Sequence, residues 1–256
     1  MDKGANMIIS FASLKGGTGK STSCTNLAYA LSTLERNGKK VLVVDFDIQS
    51  GATHILSSKF KKFKSGISDI LKGNRDLSNA IHEYNSKLHL IPMKDDFFYL
   101  SCEDFTEPLK KALDVMKNQY DHIFFDLPPS IYPASGIPLT LSDAVIVPIN
   151  CCDGLGVLGL QGIIKVIKKI GISPTLYIIA TIVDKTKTSK EVINFIKQEY
   201  SEHFIPIHIR KSALISQSCT LGLTIFEHRP KSIGAQDYQK MAKEFLKIIK
   251  GAKDDQ

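Results

Sequence analysis

The chain has 256 residues, 43% of them hydrophobic, and a formal charge of +7. That much apolar material builds a sizeable core and excludes global disorder, while no apolar run reaches the ~18 residues a transmembrane helix needs. The N-terminal MDKGANMIISFAS lacks a signal-peptide layout, and the five cysteines (Cys24, Cys102, Cys151, Cys152, Cys219) have no metal-ligand spacing, which fits a reducing cytoplasm better than a disulfide scaffold.

In chain order, Met7–Ser13 (MIISFAS) reads as a first strand and runs into Leu14–Thr22 (LKGGTGKST). A helix over Ser21–Arg36 follows, opening on hydroxyl residues and stopping before Asn37-Gly38. Val41–Asp45 (VLVVD) is the next strand, and the charge run Lys59–Lys64 (KFKKFK) reads as a surface loop. Leu88–Pro92, His122–Asp126, Ala144–Ile149 and Leu176–Val183 are further strands. Thr106–Asn118, Leu155–Ile170, Ser189–Glu199 and Asp237–Lys250 carry the three-to-four-residue apolar spacing of amphipathic helices. The strands are continuously apolar rather than alternating, the pattern of strands covered on both faces. The predicted architecture is therefore α/β, a mostly parallel twisted sheet with helices on both faces, in one domain spanning 1–256. Too few residues precede the first strand for an N-terminal helix-turn-helix.

Leu14–Thr22 stands at a strand–helix junction, where glycines let backbone N–H groups curl around a phosphate and the helix N-terminus adds positive potential. Lys20 is placed to reach the β and γ phosphates, and Ser21 to offer its hydroxyl to Mg²⁺. The ordinary pattern requires glycine where this chain has Leu14, leaving the P-loop variant K-G-G-x-G-K-[ST]. Asp45, Asp47 and Asp126 fall at the carboxyl ends of two strands, where α/β sheets bind their ligands.

KGGTGKST, DFDIQ and DLPPS together resemble the deviant Walker-type ATPases of the ParA/MinD superfamily, over nearly the whole chain. Gln49, Asp126–Ser130, Gly222–Glu227, Pro230–Ser232, Tyr238 and the segment Thr181–Val192 are more similar to its ParA/Soj branch. The resemblance implies an ATP- and Mg²⁺-dependent homodimer. Lys15 would be the signature lysine that touches the partner subunit's phosphates, Lys20 the loop lysine, and Asp47 the carboxylate orienting the attacking water. Gly16, Gly17, Thr18, Gly19, Lys20, Ser21 and Thr22 would cradle ATP together with Lys15, Gly17 also letting two such loops approach. Ser21, Asp45 and Asp126 would serve the metal, and Arg210 would line the adenine pocket. Ile48 replaces the family's usual proline, which leaves the loop beside Asp47 less constrained, and Ser50 stands where glycine is common.

The task the resemblance implies is chromosome or plasmid partition by a cytoplasmic, nucleoid-associated ATPase. It would bind DNA without sequence preference and be stimulated by a ParB-like partner. Residues 151–256 hold 16 basic against 10 acidic side chains, and Lys187, Lys190, Lys197, Lys211, Arg229, Lys231, Lys240 and Lys243 are the candidate DNA contacts. The alternative is a MinD-like ATPase positioned on a membrane or on a protein cargo. Its amphipathic anchor would be Asp237–Lys250, but core packing is the expected role of that helix and membrane attachment is not expected. An iron protein would need paired cluster cysteines, an arrangement that Cys102, Cys151 and Cys152 do not have.

Overall fold

In the computed structural model, which describes residues 6–34, 38–73, 77–94, 105–130 and 133–254, the apolar runs become strands of one eight-stranded sheet. The strands are β1 (Met7–Phe11), β2 (Val41–Asp45), β3 (His82–Asn85), β4 (Leu88–Ile91), β5 (His122–Asp126), β6 (Ala144–Asn150), β7 (Thr175–Val183) and β8 (Phe204–Arg210). Their order is β3-β4-β2-β5-β1-β6-β7-β8, and every neighbouring pair is parallel except β3 with β4. The helices are α1 (Lys20–Thr33), α2 (Gly51–Ile55), α3 (Ile67–Leu71), α4 (Leu77–Ala80), α5 (Thr106–Met116), α6 (Pro133–Thr140), α7 (Gly156–Ile170), α8 (Lys187–Glu199), α9 (Ala213–Thr220), α10 (Ile225–His228) and α11 (Ile233–Asp254).

The central strands are buried on both faces because each face has its own apolar layer. On one side Leu113 of α5, Leu160 of α7 and Ile196 of α8 pack on Val44, Phe125 and Val147. On the other, Leu27 of α1 and Tyr238, Met241 and Phe245 of α11 pack on Ile9, Val43 and Phe124. Tyr238, Met241, Phe245 and Ile249 are buried, so the apolar stripe of the last helix faces the sheet, as its spacing implies.

Where the outcome differs from the sequence reading, the reason is local. β3 (HEYN) has no apolar run and exists by antiparallel pairing with β4. β8 (FIPIHIR) carries Pro206, which an edge strand tolerates because its N–H side need not pair. The first helix ends earlier than expected, with Leu34 leaving it in an extended conformation; Arg36 and Asn37 lie outside the described residues, as does Cys102. Cys151 is fully buried in the core.

Register delivers the site. Phe11 is level with Asp126, and Asp126 with Asp45, so the loops leaving β1, β2 and β5 emerge side by side at one edge of the sheet.

Candidate nucleotide-binding and hydrolysis site

The phosphate loop joins β1 to α1. Gly17 and Gly19 take the left-handed region, with φ of 73° and 79°, and Gly19 is the N-terminal cap of α1 with no side chain bonded back to the helix. Only glycine adopts that turn without strain, and the uncapped first turn leaves N–H groups free for an anion. Thr181, at the end of β7, braces the loop from behind: its hydroxyl lies 2.8 Å from the Thr18 carbonyl and 2.9 Å from the Ile149 carbonyl, either of which can accept its proton. Leu14, the departure from the ordinary pattern, packs on α7 at Gly162, where a Cβ would come within 2.5 Å of it. The loop thus trades a glycine of its own for one on the helix it touches.

Lys20 is buried and donates to Asp126 Oδ1 at 3.1 Å and to Asp47 Oδ2 at 3.3 Å. Burial alone would push its ammonium pKa down, but Asp126 and Asp47 outweigh burial and hold it above the ordinary lysine value. Burial lifts the Asp126 carboxyl, and Lys20 and Ser21 counter part of that rise. Burial, with Asp126 beside it, also raises Asp45 to about 7.

Asp45 accepts from the Asp47 N–H at 2.9 Å, and from both the N–H and the hydroxyl of Thr53 at 2.8 Å. Of the three residues expected at the metal, the structure brings Ser21 and Asp126 together and commits Asp45 to holding the loop that carries Asp47. That loop is a tight turn closed by the Ser50 N–H on the Asp47 carbonyl at 2.7 Å. Ile48 sits in the turn with 52% of its surface exposed, so no packing is lost by its replacing proline. Ser50 has φ 52°, which explains why glycine suits that position and costs a serine about 1–2 kcal/mol.

A divalent ion fits the residues present. Asp126 Oδ2 and Thr18 Oγ1 are buried without hydrogen-bond partners, an acceptor and a hydroxyl that a metal–nucleotide complex would complete. Ser21 Oγ and Asp126 Oδ2 both border the space in front of Gly51. One hydroxyl and one carboxylate are the oxygen donors a Mg²⁺ ion would take from a protein that leaves its other positions to water and phosphate. A Cβ on Gly51 would lie 2.6 Å from Ser21 Oγ. Because that Cβ would also lie 2.9 Å from Ser21 Cβ, Gly51→Ala is expected to shift Ser21 on α1, lowering the melting temperature somewhat and raising the Mg²⁺ concentration needed for half-maximal hydrolysis by about 10–100-fold. An unshifted Mg²⁺ titration would remove Ser21 from the metal.

Beside the loop lies a cavity of about 490 Å³ lined by Gly19, Thr22, Thr181, Ile182, Arg210, Cys219 and Tyr238 among others. Its position next to the phosphate loop suits a nucleoside. Arg210 lines it, but its guanidinium is held by Asp237, with Nε donating at 2.9 Å and Nη2 at 2.5 Å. Lys15 stands on the outer rim of the loop with its side chain 32% exposed, paired with Asp153 from the segment after β6. Close by in the chain, Leu155 and Leu158 are 57% and 60% exposed.

The sequence family described as an AAA domain matches residues 6–180. The chain belongs to that family. It is 27% identical over 250 residues to the chromosome-partitioning ATPase Soj of Thermus thermophilus, covering 95% of this chain and 97% of that one. A Borrelia burgdorferi protein assigned to plasmid partition, solved with AMPPNP, superposes with a TM-score of 0.82 at 27% identity, over 94% of this chain and 99% of that one. The MinD of Pyrococcus horikoshii with Mg-ADP shares the fold, with a TM-score of 0.76 at 24% identity over 94% and 96% of the two chains. The protein is thus an ATPase of the partition family.

Asp153 and Gly162 were not singled out from the sequence, and Thr181 stood there only as the start of a family-like segment with no role given to it. Each acts on the loop from more than a hundred residues away, and no local pattern marks it. Ile182, in the same segment as Thr181, holds a β-branched side chain at φ 52° and lines the cavity beside the loop. All eight candidate DNA contacts are exposed. Lys211 and Lys240 share one groove with Lys185 and Arg210, whereas Lys187 is engaged by Glu191 at 3.5 Å.

Proposed function

We propose that the protein is a nucleotide-switched dimer that partitions DNA: ATP closes two subunits face to face, the dimer holds DNA without sequence preference, and a ParB-like partner triggers hydrolysis. The observation that carries this reading is Lys15. Lys20 is buried between Asp126 and Asp47, whereas Lys15 is partly exposed and paired with Asp153, two residues before the exposed Leu155 and five before the exposed Leu158. A cation placed there serves a second subunit's phosphates better than its own, and two exposed leucines suit burial between subunits. The Borrelia protein's AMPPNP supports ATP as the nucleotide.

On this reading Lys20 and the first turn of α1 hold the β and γ phosphates, Ser21 and Asp126 hold Mg²⁺, Asp47 orients the attacking water and the nucleoside lies beside Arg210. The metal would supply charge neutralisation on the phosphate oxygens. Asp153 holds Lys15 within its own chain until a second subunit offers phosphate. DNA is bound by the basic C-terminal third, with Lys211 and Lys240 leading because they share a groove.

Lys15→Ala tests the reading. Hydrolysis in the presence of DNA and partner is expected to fall at least about 10³-fold, as for loss of a charge supplied in trans, while a fluorescent ATP analogue still binds the monomer. Unchanged turnover would remove the trans role.

The membrane-anchor alternative finds no support in α11. Peeling it away exposes Tyr238, Met241, Phe245 and Ile249, at about 1.5–3 kcal/mol each, which together rivals the whole stability of an ordinary domain. Among the described residues no helix is long and apolar enough to cross a membrane.

A further inference from the structure

The KFKKFK run is left unexplained by the ATPase. In the structure Lys59–Lys64 has no regular secondary structure, yet it is pinned at two points. Phe60 lies tilted 5.2 Å from Phe63 and edge-on 5.6 Å from His82, and Phe63 lies edge-on 5.0 Å from His82. Lys59 caps the same cluster, 4.3 Å above the Tyr84 ring, donating to the Tyr84 carbonyl and pairing with Glu227 at 3.7 Å. With the aromatic rings turned inward and Lys59 offsetting Glu227, Lys61, Lys62 and Lys64 project into solvent. Among the described residues no carboxylate pairs with any of the three. The neighbouring Glu83 acts on His89 and Tyr120, on the opposite face of the sheet.

We infer that this loop is a second DNA-binding face, in which Lys61, Lys62 and Lys64 contact the phosphate backbone of a duplex while Phe60 and Phe63 hold them in place. Three cations across four residues span about 10 Å, and duplex DNA presents one phosphate charge per about 1.7 Å of axis, so all three find partners without base recognition. An anionic membrane is the weaker candidate, because surface insertion needs free apolar side chains and both phenylalanines are half-buried against the core and His82. The loop hangs from the hydrolysis site: α2 starts at Gly51 against Ser21, the Ser57 N–H bonds to the His54 carbonyl, and the Phe60 N–H bonds to the Ser57 carbonyl. The inference rests on the DNA-binding reading above.

The test is fluorescence anisotropy of a mixed-sequence duplex with ATP-loaded protein across a salt series, comparing wild type with K61Q/K62Q/K64Q and with K61R/K62R/K64R. The glutamine variant is expected to lower the slope of log affinity against log salt by up to about 2.7, and the arginine variant to restore it. Melting temperature and binding of a fluorescent ATP analogue should not change. Wild type that binds DNA with the same slope and affinity as the glutamine variant overturns the loop's role and leaves the partition reading standing. Wild type that binds no duplex overturns both. Flotation with phosphatidylserine vesicles, if retained by wild type and lost in the glutamine variant while DNA binding is untouched, overturns the DNA assignment in favour of lipid.

Discussion

Lys20→Ala is expected to abolish productive ATP binding and cut hydrolysis by at least about 10³-fold. The same substitution should also destabilise the nucleotide-free fold, because Lys20 is the cation hydrogen-bonded to both Asp126 and Asp47 at a buried site. Removing one partner of a buried charge network costs about 3–5 kcal/mol, or roughly 6–20 °C in melting temperature for a chain of this size.

That loss should depend on pH in a definite direction. Burial raises the Asp126 carboxyl and Lys20 pulls it back down, so deleting Lys20 raises it further above its unfolded value. A carboxyl raised in the folded state binds more protons there than in the unfolded chain. Its stabilising contribution is therefore present at low pH and lost as pH rises through the folded value. The melting temperature of Lys20→Ala should lie much further below wild type at pH 8 than at pH 5.5. Lys20→Arg separates the two roles: a retained cation should recover most of the stability, while the bulkier fork fails to recover hydrolysis. A pH-independent deficit would mean the carboxylates do not depend on Lys20 for their charge.

How much of this was readable in advance follows from how far apart the cooperating residues lie. The loop was legible because its parts are contiguous: the left-handed Gly17 and Gly19, the uncapped start of α1 and the buried Lys20 all fall within a single strand–helix junction. Asp45, Asp47 and Asp126 were legible because strand ends are identifiable and parallel register makes them neighbours. The central strands announced themselves as apolar runs; β3 and β8 did not, since an edge strand needs only one covered side and its residues need not be apolar. Asp153 on Lys15, Thr181 behind Thr18 and Gly162 beneath Leu14 depend on contacts set by the order of β1, β6 and β7 in the sheet. The task of Asp45 also emerged only with α2, a five-residue helix that puts Thr53 against it.

Asp47→Asn should produce the opposite phenotype to Lys20→Ala: ATP binds, the dimer forms, and hydrolysis stalls. Asp47 sits on the tight turn that Asp45 anchors, with Oδ1 accepting from the Gln49 N–H at 3.0 Å and Oδ2 facing Lys20. Asparagine can keep the Gln49 contact and the shape of the turn while removing the charge that would draw a proton from water. The turnover number should fall by about 10²–10⁴-fold with little change in KM, and the ATP-bound dimer should accumulate on DNA rather than dissociate. Rapid quench with labelled ATP checks the first outcome and DNA retention after a chase of unlabelled nucleotide checks the second. A variant that hydrolyses at the wild-type rate would assign the water to another group. One that fails to bind nucleotide would show that Asp47 serves Lys20 rather than the water. Because Lys20 keeps Asp126 in either case, loss of one neutralised carboxylate is not expected to unfold the site, and so the kinetic defect can be read apart from stability.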